Sequence, residues 1–276
     1  MAQFGRSILI LAAHPDDEVA ACAAAVGRAR ASGGDVWVIY LTNGCLDRET
    51  VWPWDRRRHP GMIRRRRAEA ERAAAALGLE CAGWGPRAAR HLWRELPEAE
   101  CEVRAAVQAH GIDQLWAPAY EGGNPDHDAL NALASRFMDA GLSVLEFAEY
   151  NFTGGRPRSH SFPRTLGTET VIELAPDEQK SKRQALSLYA SERGNLRVIG
   201  LEREVFRPLP EHDYSRAPHP NKLWYTRFQW VPFRHPRIDF VKPQAVYHEI
   251  GAYIDRSRGL EQRSSAARED ESPKQS

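Results

Sequence analysis

Five successive residues, His14-Pro15-Asp16-Asp17-Glu18, group an imidazole with three carboxylates directly after the apolar run Ser7 to Ala13. Charges packed this closely where a buried strand must end are costly unless a cation holds them. Imidazole nitrogen and carboxylate oxygen are ordinary zinc ligands. A turn leaving a strand aims His14 and Asp17 at one point, with Asp16 beside them and placed to serve as a general base. The competing reading is that Asp16, Asp17 and Glu18 only cap the following helix, where acidic residues are favoured. Capping, however, needs one carboxylate and no histidine. A catalytic zinc usually takes three protein ligands and a water, so a third must come from elsewhere. The candidate is His127, in Tyr120-Glu121-Gly122-Gly123-Asn124-Pro125-Asp126-His127-Asp128, which again follows a strand-like stretch, Gln114 to Ala119.

Bringing His14 to His127 requires particular elements. Apolar runs predict strands over Ile8 to Ala12, Val36 to Thr42, Gln114 to Pro118 and Ser143 to Ala148, with a further short one near Cys81 to Trp84. Helical patterns occupy Glu18 to Ala31, Met62 to Leu77, Pro97 to His110 and Asp126 to Ala140. Strands alternating with helices imply βαβ units and right-handed crossovers. The fold class is therefore α/β, Rossmann-like, with a mostly parallel sheet and helices on both faces, plus a C-terminal arm. In such sheets ligands gather at the carboxyl ends of strands where strand order reverses, here between the strands ending at Ala13 and at Pro118.

The motifs Ala13-His14-Pro15-Asp16-Asp17-Glu18 and Pro125-Asp126-His127 resemble the PIG-L/LmbE family of zinc-dependent N-acetylglucosaminyl deacetylases. Arg66-Arg67-Ala68-Glu69 with Ala76-Leu77-Gly78 adds to the likeness, which spans roughly the first two-thirds of the chain. The resemblance implies that His14, Asp17 and His127 bind zinc and that Asp16 is the base. It also implies that Arg66 lines the substrate site. One position departs from the family: its second motif usually begins with histidine, and this chain has Asn124 there. An asparagine donates a hydrogen bond to an oxyanion but supplies no proton as an imidazolium does. His219, between Pro218 and Pro220, is a substitute acid or substrate contact, or else a loop histidine with satisfied hydrogen bonds. Asp126 either orients a neighbouring ligand or caps the following helix.

The expected reaction is hydrolysis of an N-acetyl group from an N-acetylglucosamine-type sugar or conjugate, releasing acetate. Asp16 takes a proton from water, and the metal and Asn124 hold the developing negative charge. The rival reading is a catalytically weakened relative that binds a glycan or metabolite, which Asn124 keeps open. A two-metal phosphoesterase wants more ligands than these motifs offer. Iron or cobalt could occupy the same ligands as zinc.

Trp52 and Trp54 stand close to Arg56, Arg57, Arg58 and the run Arg64 to Arg67. Trp52 and Arg66 could wall a sugar cleft, but a solvated basic helix start with packed tryptophans accounts for the same pattern. Four successive arginines point all round a helix, which argues against a nucleic-acid face. The net charge of +1 gives no reason to expect nucleic acid or an anionic membrane. Four scattered cysteines, the absence of a signal-like start and the absence of an apolar run of membrane length make a cytoplasmic protein the default expectation.

Three segments are expected: residues 1–190 as the metal-dependent domain, 191–256 as a Pro- and aromatic-rich extension packing on it, and 257–276 as a charged tail without fixed structure. Within the second half, Arg164 to Leu174 reads as a strand paired with Glu146 to Phe152, and Asp177 to Tyr189 as a helix.

Overall fold

A computed structural model of the chain describes residues 4–270 apart from 234 and 237, with side chains as far as residue 259. The parallel part of its sheet centres on β1 (Ser7–Ala12), whose neighbours are β2 (Asp35–Thr42) on one side and β4 (Gln114–Pro118) on the other, both parallel to it. β3 (Glu80–Arg87) extends the sheet beyond β2, and β5 (Ser143–Ala148) extends it beyond β4. The chain thus builds outward from β1 in one direction and then returns to build in the other. The carboxyl ends of β1 and β4 flank the crevice where the direction reverses.

β1 is apolar throughout because it is covered twice. Ile8 and Ile10 face a layer made by α1 (Asp17–Ala31), α2 (His59–Leu77) and α5 (Pro176–Ser187). Leu9 and Leu11 face α3 (Leu96–His110), α4 (Pro125–Asp139) and α6 (Pro243–Asp270). Each of these four side chains is fully buried, and each such burial stabilises by roughly 1.5–3 kcal/mol. α1 is alanine-rich and buried through Ala20, Ala21, Ala23, Ala24 and Ala25. Short side chains let it lie close to the sheet.

The second half departs from expectation in three ways. First, β9 (Arg203–Pro208) is a strand of the main sheet, antiparallel to β5, so the boundary placed at residue 190 cuts through the domain rather than between a domain and an arm. Second, the strand expected over Arg164 to Leu174 is confined to β8 (Thr170–Glu173), and its partner is β9, not the segment Glu146 to Phe152. That segment instead ends in β6 (Tyr150–Asn151), paired with β7 (Arg158–Ser159) in a separate ribbon. Third, α6 carries helical backbone to Asp270, where composition suggested a tail from residue 257; residues 271–276 lie outside the described residues.

β9 brings Glu204 beneath α1, where its two carboxylate oxygens accept from Ala24 N at 3.0 Å and Ala25 N at 2.9 Å, and Lys182 Nζ of α5 lies 3.0 Å away. Arg207 Nε donates to Glu146 of β5 at 2.6 Å. Charged residues inside the sheet are therefore paired across elements distant in sequence. Among the described residues no helix is long and apolar enough to cross a membrane.

Candidate metal centre and active site

His14 stands in the turn after β1, Asp17 opens α1 and His127 lies in the first turn of α4. Their side chains converge. His14 Nδ1 is 3.7 Å from Asp17 Oδ1, His127 Nε2 is 3.4 Å from the same oxygen, and the two ring nitrogens are 3.3 Å apart. A tetrahedral site with bonds of about 2.0–2.1 Å sets its donor atoms roughly 3.3 Å apart, so the donor set fits one zinc-sized ion. Among the described residues these three form the one cluster of His, Cys, Asp or Glu able to hold a metal.

Surrounding groups fix the orientation of the donors. Asp17 Oδ2 accepts from His14 N at 2.9 Å, which leaves Oδ1 aimed at the two rings. His14 Nε2 faces Asp126 Oδ2 at 3.1 Å, and Asp126 Oδ1 accepts from Leu92 N at 3.0 Å. The backbone N of Arg90 also donates to Asp126. A carboxylate on the far nitrogen holds the tautomer that leaves Nδ1 free to ligate. Burial alone would lower the His14 pKa, but Asp126 and Asp17 outweigh it and raise it to about 10. Burial likewise works against ionised Asp17, and the neighbouring histidines pull its pKa well below the usual carboxylate range. The pocket attracts cationic charge, and a metal entering it displaces protons.

Asp16 occupies the N-cap position of α1 without using its side chain to cap. Its backbone is held at φ 143°, ψ −23°, a conformation non-glycine residues rarely adopt. This turns the carboxylate away from the helix and towards Arg66, with Arg66 Nη2 3.4 Å from Asp16 Oδ2 and 2.7 Å from Pro15 O. The cap-only reading of the acidic run therefore fails at Asp16. Arg66 itself is buried and is gripped from behind by Glu192 at 3.3 Å. Gly44, at φ +69°, gives it room: a Cβ there would lie 2.7 Å from Pro15 Cδ and 2.8 Å from Arg66 Nε. Burial raises the Asp16 pKa, against the pull of Arg66, to about 6.

Asn124 is the N-cap of α4, its Oδ1 accepting from Asp126 N at 2.9 Å. The cap belongs to Asn124, and Asp126 is free for His14. Burial is also complete at Glu121 and Asp128, which build the loop beneath. Asp128 Oδ1 accepts from the backbone N of Glu121 and of Gly122 at 3.0 Å each, and Glu121 Oε1 accepts from Glu149 N at 2.8 Å. Gly123 passes so close to Tyr150 that a Cβ would lie 2.2 Å from its carbonyl oxygen.

Two residues beside the candidate metal ligands, Glu149 and Tyr150, were not anticipated, and Trp224 of the aromatic-rich extension joins them. Glu149 Oε2 is buried without a hydrogen-bond partner, 3.8 Å from His127 Nδ1, which also lacks one. Tyr150 sets its ring edge-on to His127, centroids 5.7 Å apart, with its hydroxyl against Asn124. Trp224 continues that wall, 5.6 Å from Tyr150. An acidic residue directly after β5 was the available signal for Glu149; Tyr150 sits in a stretch without periodicity.

Trp52 and His219 are placed differently from the candidate metal ligands. Trp52 stacks on Trp54 at 5.1 Å and meets His235 edge-on at 5.4 Å, and none of its ring contacts involves His14, Asp17 or His127. His219 Nε2 faces Glu121 O at 3.2 Å, in the loop that leads to Asn124. Arg65 and Arg67 pair with Glu69 at 2.9 Å and Glu71 at 3.0 Å on α2, so the arginine run does point in several directions.

The sequence pattern of the PIG-L family, GlcNAc-PI de-N-acetylase, matches residues 9–138, a stretch containing all three residues of the candidate metal triangle. No curated protein matches. Among solved structures, a deacetylase of the teicoplanin biosynthesis pathway superposes with a TM-score of 0.57 at 19% identity, covering 73% of this chain and 97% of that one. N,N'-diacetylchitobiose deacetylase from Pyrococcus horikoshii gives 0.52 at 18% identity over 73% of this chain and 83% of that one. GalB, the 4-carboxy-2-hydroxymuconate hydratase from Pseudomonas putida KT2440, gives 0.51 at 14% identity over 75% and 98%. At these identities the likeness establishes the shared fold.

Proposed function

Residues 9–138 belong to the PIG-L family, and from that premise we propose that the protein is a zinc-dependent N-deacetylase acting on an N-acetylglucosamine-type sugar or conjugate. One observation carries the reading: three donor atoms 3.3 to 3.7 Å apart, with the Asp16 carboxylate turned to the same crevice by a strained backbone and a buried arginine. The named neighbours include two deacetylases, which agrees with it.

A zinc ion on His14, Asp17 and His127 would supply Lewis acidity to a water and to the acetamide carbonyl. Asp16 takes the proton of the attacking water, a task suited by a pKa raised towards neutrality. Arg66 keeps Asp16 in place while that proton is held. The Asn124 amide nitrogen, whose present partner is the Tyr150 hydroxyl while Oδ1 caps α4, donates to the developing oxyanion. Asp16 then returns the proton to the departing amine, since Asn124 has none to give. The ligand-orienting tasks fall to Asp126 for His14 and to Glu149 for His127. The four cysteines are free, which suits work in a reducing compartment such as the cytoplasm.

A second reading, a glycan- or metabolite-binding relative without turnover, is favoured by Asn124 standing where an acid is usual. Acetate release from a panel of N-acetylglucosamine conjugates, with Asn124→His beside the native protein, decides between them. Turnover by the native protein supports the deacetylase. Silence from it beside an active Asn124→His supports the binding protein, and silence from both rejects the substrate class.

A further inference from the structure

Beyond the reacting centre, the wall of the crevice ends in a cation with no anion. Arg227 is half-buried, its guanidinium 3.7 Å from the Trp224 ring centre and 4.7 Å from that of Phe228. Nη1 donates to Trp224 O at 2.7 Å. The group is therefore held over two rings and by one carbonyl, and among the described residues no hydrogen bond engages its Nε or Nη2. Among the described residues no carboxylate pairs with it.

Its neighbour Arg90 shows the contrast, since Arg90 Nε lies 3.5 Å from Asp239 and its Nη1 donates to Pro236 O and Ile238 O at 3.2 Å each. One of the two arginines is neutralised and anchored by the protein. The other is anchored but left charged. A fixed, partly desolvated cation without a counter-ion is unfavourable for the free protein and favourable for a ligand that brings the missing charge. Position supports this. Trp224 contacts Tyr150, Tyr150 contacts His127, and Arg227 is within electrostatic reach of both Tyr150 and Arg90. Arg90 in turn holds Asp126 through its backbone, so Arg227 flanks the crevice from two directions.

We propose that Arg227 anchors an acidic group, a carboxylate or a phosphate ester, on the aglycone of the amino-sugar substrate, with Trp224 and Tyr150 as the wall along which the sugar lies. The proposal rests on the deacetylase reading for the identity of the sugar, and on Arg227 alone for the acid. A planar guanidinium edge matches either oxyanion by paired hydrogen bonds.

The test uses zinc-loaded protein and three compounds: phenyl, 4-carboxyphenyl and 4-phosphooxyphenyl N-acetylglucosaminide. Acetate release is measured for each, together with calorimetric binding of the three corresponding deacetylated amines. We expect an acidic compound to bind roughly tenfold or more tightly than the phenyl compound, and whichever acid does so identifies the group. The preference should fall to near one in Arg227→Met, which keeps the length and packing of the side chain. Because the readout is a ratio between ligands on one protein, a general loss of fold is not mistaken for it. Tighter binding of an acidic amine with no acetate release would sustain the anion site and overturn deacetylation. Equal binding of all three, no binding of any, or a preference that survives Arg227→Met overturns the anion site even if every compound is hydrolysed.

Discussion

Two buried clusters of ionisable side chains lie side by side at the end of β5, and only one has the makings of a site. Around His14, Asp17 and His127 the atoms that meet are electron-pair donors, and His127 Nδ1 and Glu149 Oε2 are left without partners. Around Lys182 the opposite holds. Lys182 Nζ meets Glu204 at 3.0 Å and His160 Nε2 at 3.5 Å, and His160 Nδ1 faces Ala148 O at 3.2 Å. Lys182 and Glu204 are fully buried, as are Asp126 and Asp128. Depth and charge thus fail to separate function from scaffold. An excess of lone pairs over protons does, because it is the condition that a metal relieves.

The comparison can be broken most sharply at Asp16. Asp16→Asn should retain metal and lose about 10²- to 10⁴-fold in acetate release; metal content and single-turnover rates check both halves, and full activity would remove Asp16 as the base. At the other cluster, Lys182→Met strands the Glu204 charge, and urea unfolding should report a loss of about 3–5 kcal/mol with metal stoichiometry unchanged. If stability held and metal were lost, the division between the clusters would collapse. A smaller effect is expected from Asp126→Ala, which leaves the ligands but frees His14 Nε2. Metal affinity by competition titration should weaken about 10- to 100-fold, whereas a mere helix cap would leave it untouched.

The smallest effect is a pH slope. Burial, aided by the Lys182 charge, pushes the His160 pKa down from 6.5 to about 3. The folded ring stays neutral where the unfolded ring takes a proton, so its contribution to stability is complete above about pH 6.5 and is lost as pH falls towards 3. Unfolding free energies measured across that interval should decline less steeply in His160→Gln. An identical slope in both proteins would place the acid sensitivity elsewhere.

The first half of the molecule was legible because each of its signals is local. β1, β2, β4 and β5 announce themselves as apolar runs and β3 only through the short stretch Cys81 to Trp84, while His14 and Asp17 follow β1 within five residues and His127 follows β4 by nine. β9 was hidden because Arg203-Glu204-Val205-Phe206-Arg207 is charged as no isolated buried strand should be. Its charges are satisfied by Lys182 and Glu146, partners that only the fold supplies. Glu149 was a single acidic residue with no motif around it. Trp224 and Arg227 sit in an irregular, proline-rich stretch where no period exists to read. Asp16 is the reverse case: its identity was obvious from the sequence, but its disengagement from the helix cap depends on a backbone angle that residue type does not encode.

The order β5-β9-β8 has a consequence for how the chain comes off the ribosome. β8 emerges before the strand that joins it to the sheet, and β5 waits with an open hydrogen-bonding edge until residues 203–208 arrive. Until then Lys182 has no Glu204. A nascent chain exposed only as far as residue 190 therefore holds a complete parallel half, a loose edge strand and an uncompensated ammonium beneath α1. That is the interval in which edge-to-edge association with another chain is most exposed, and it closes only when a segment outside the recognised motifs is delivered.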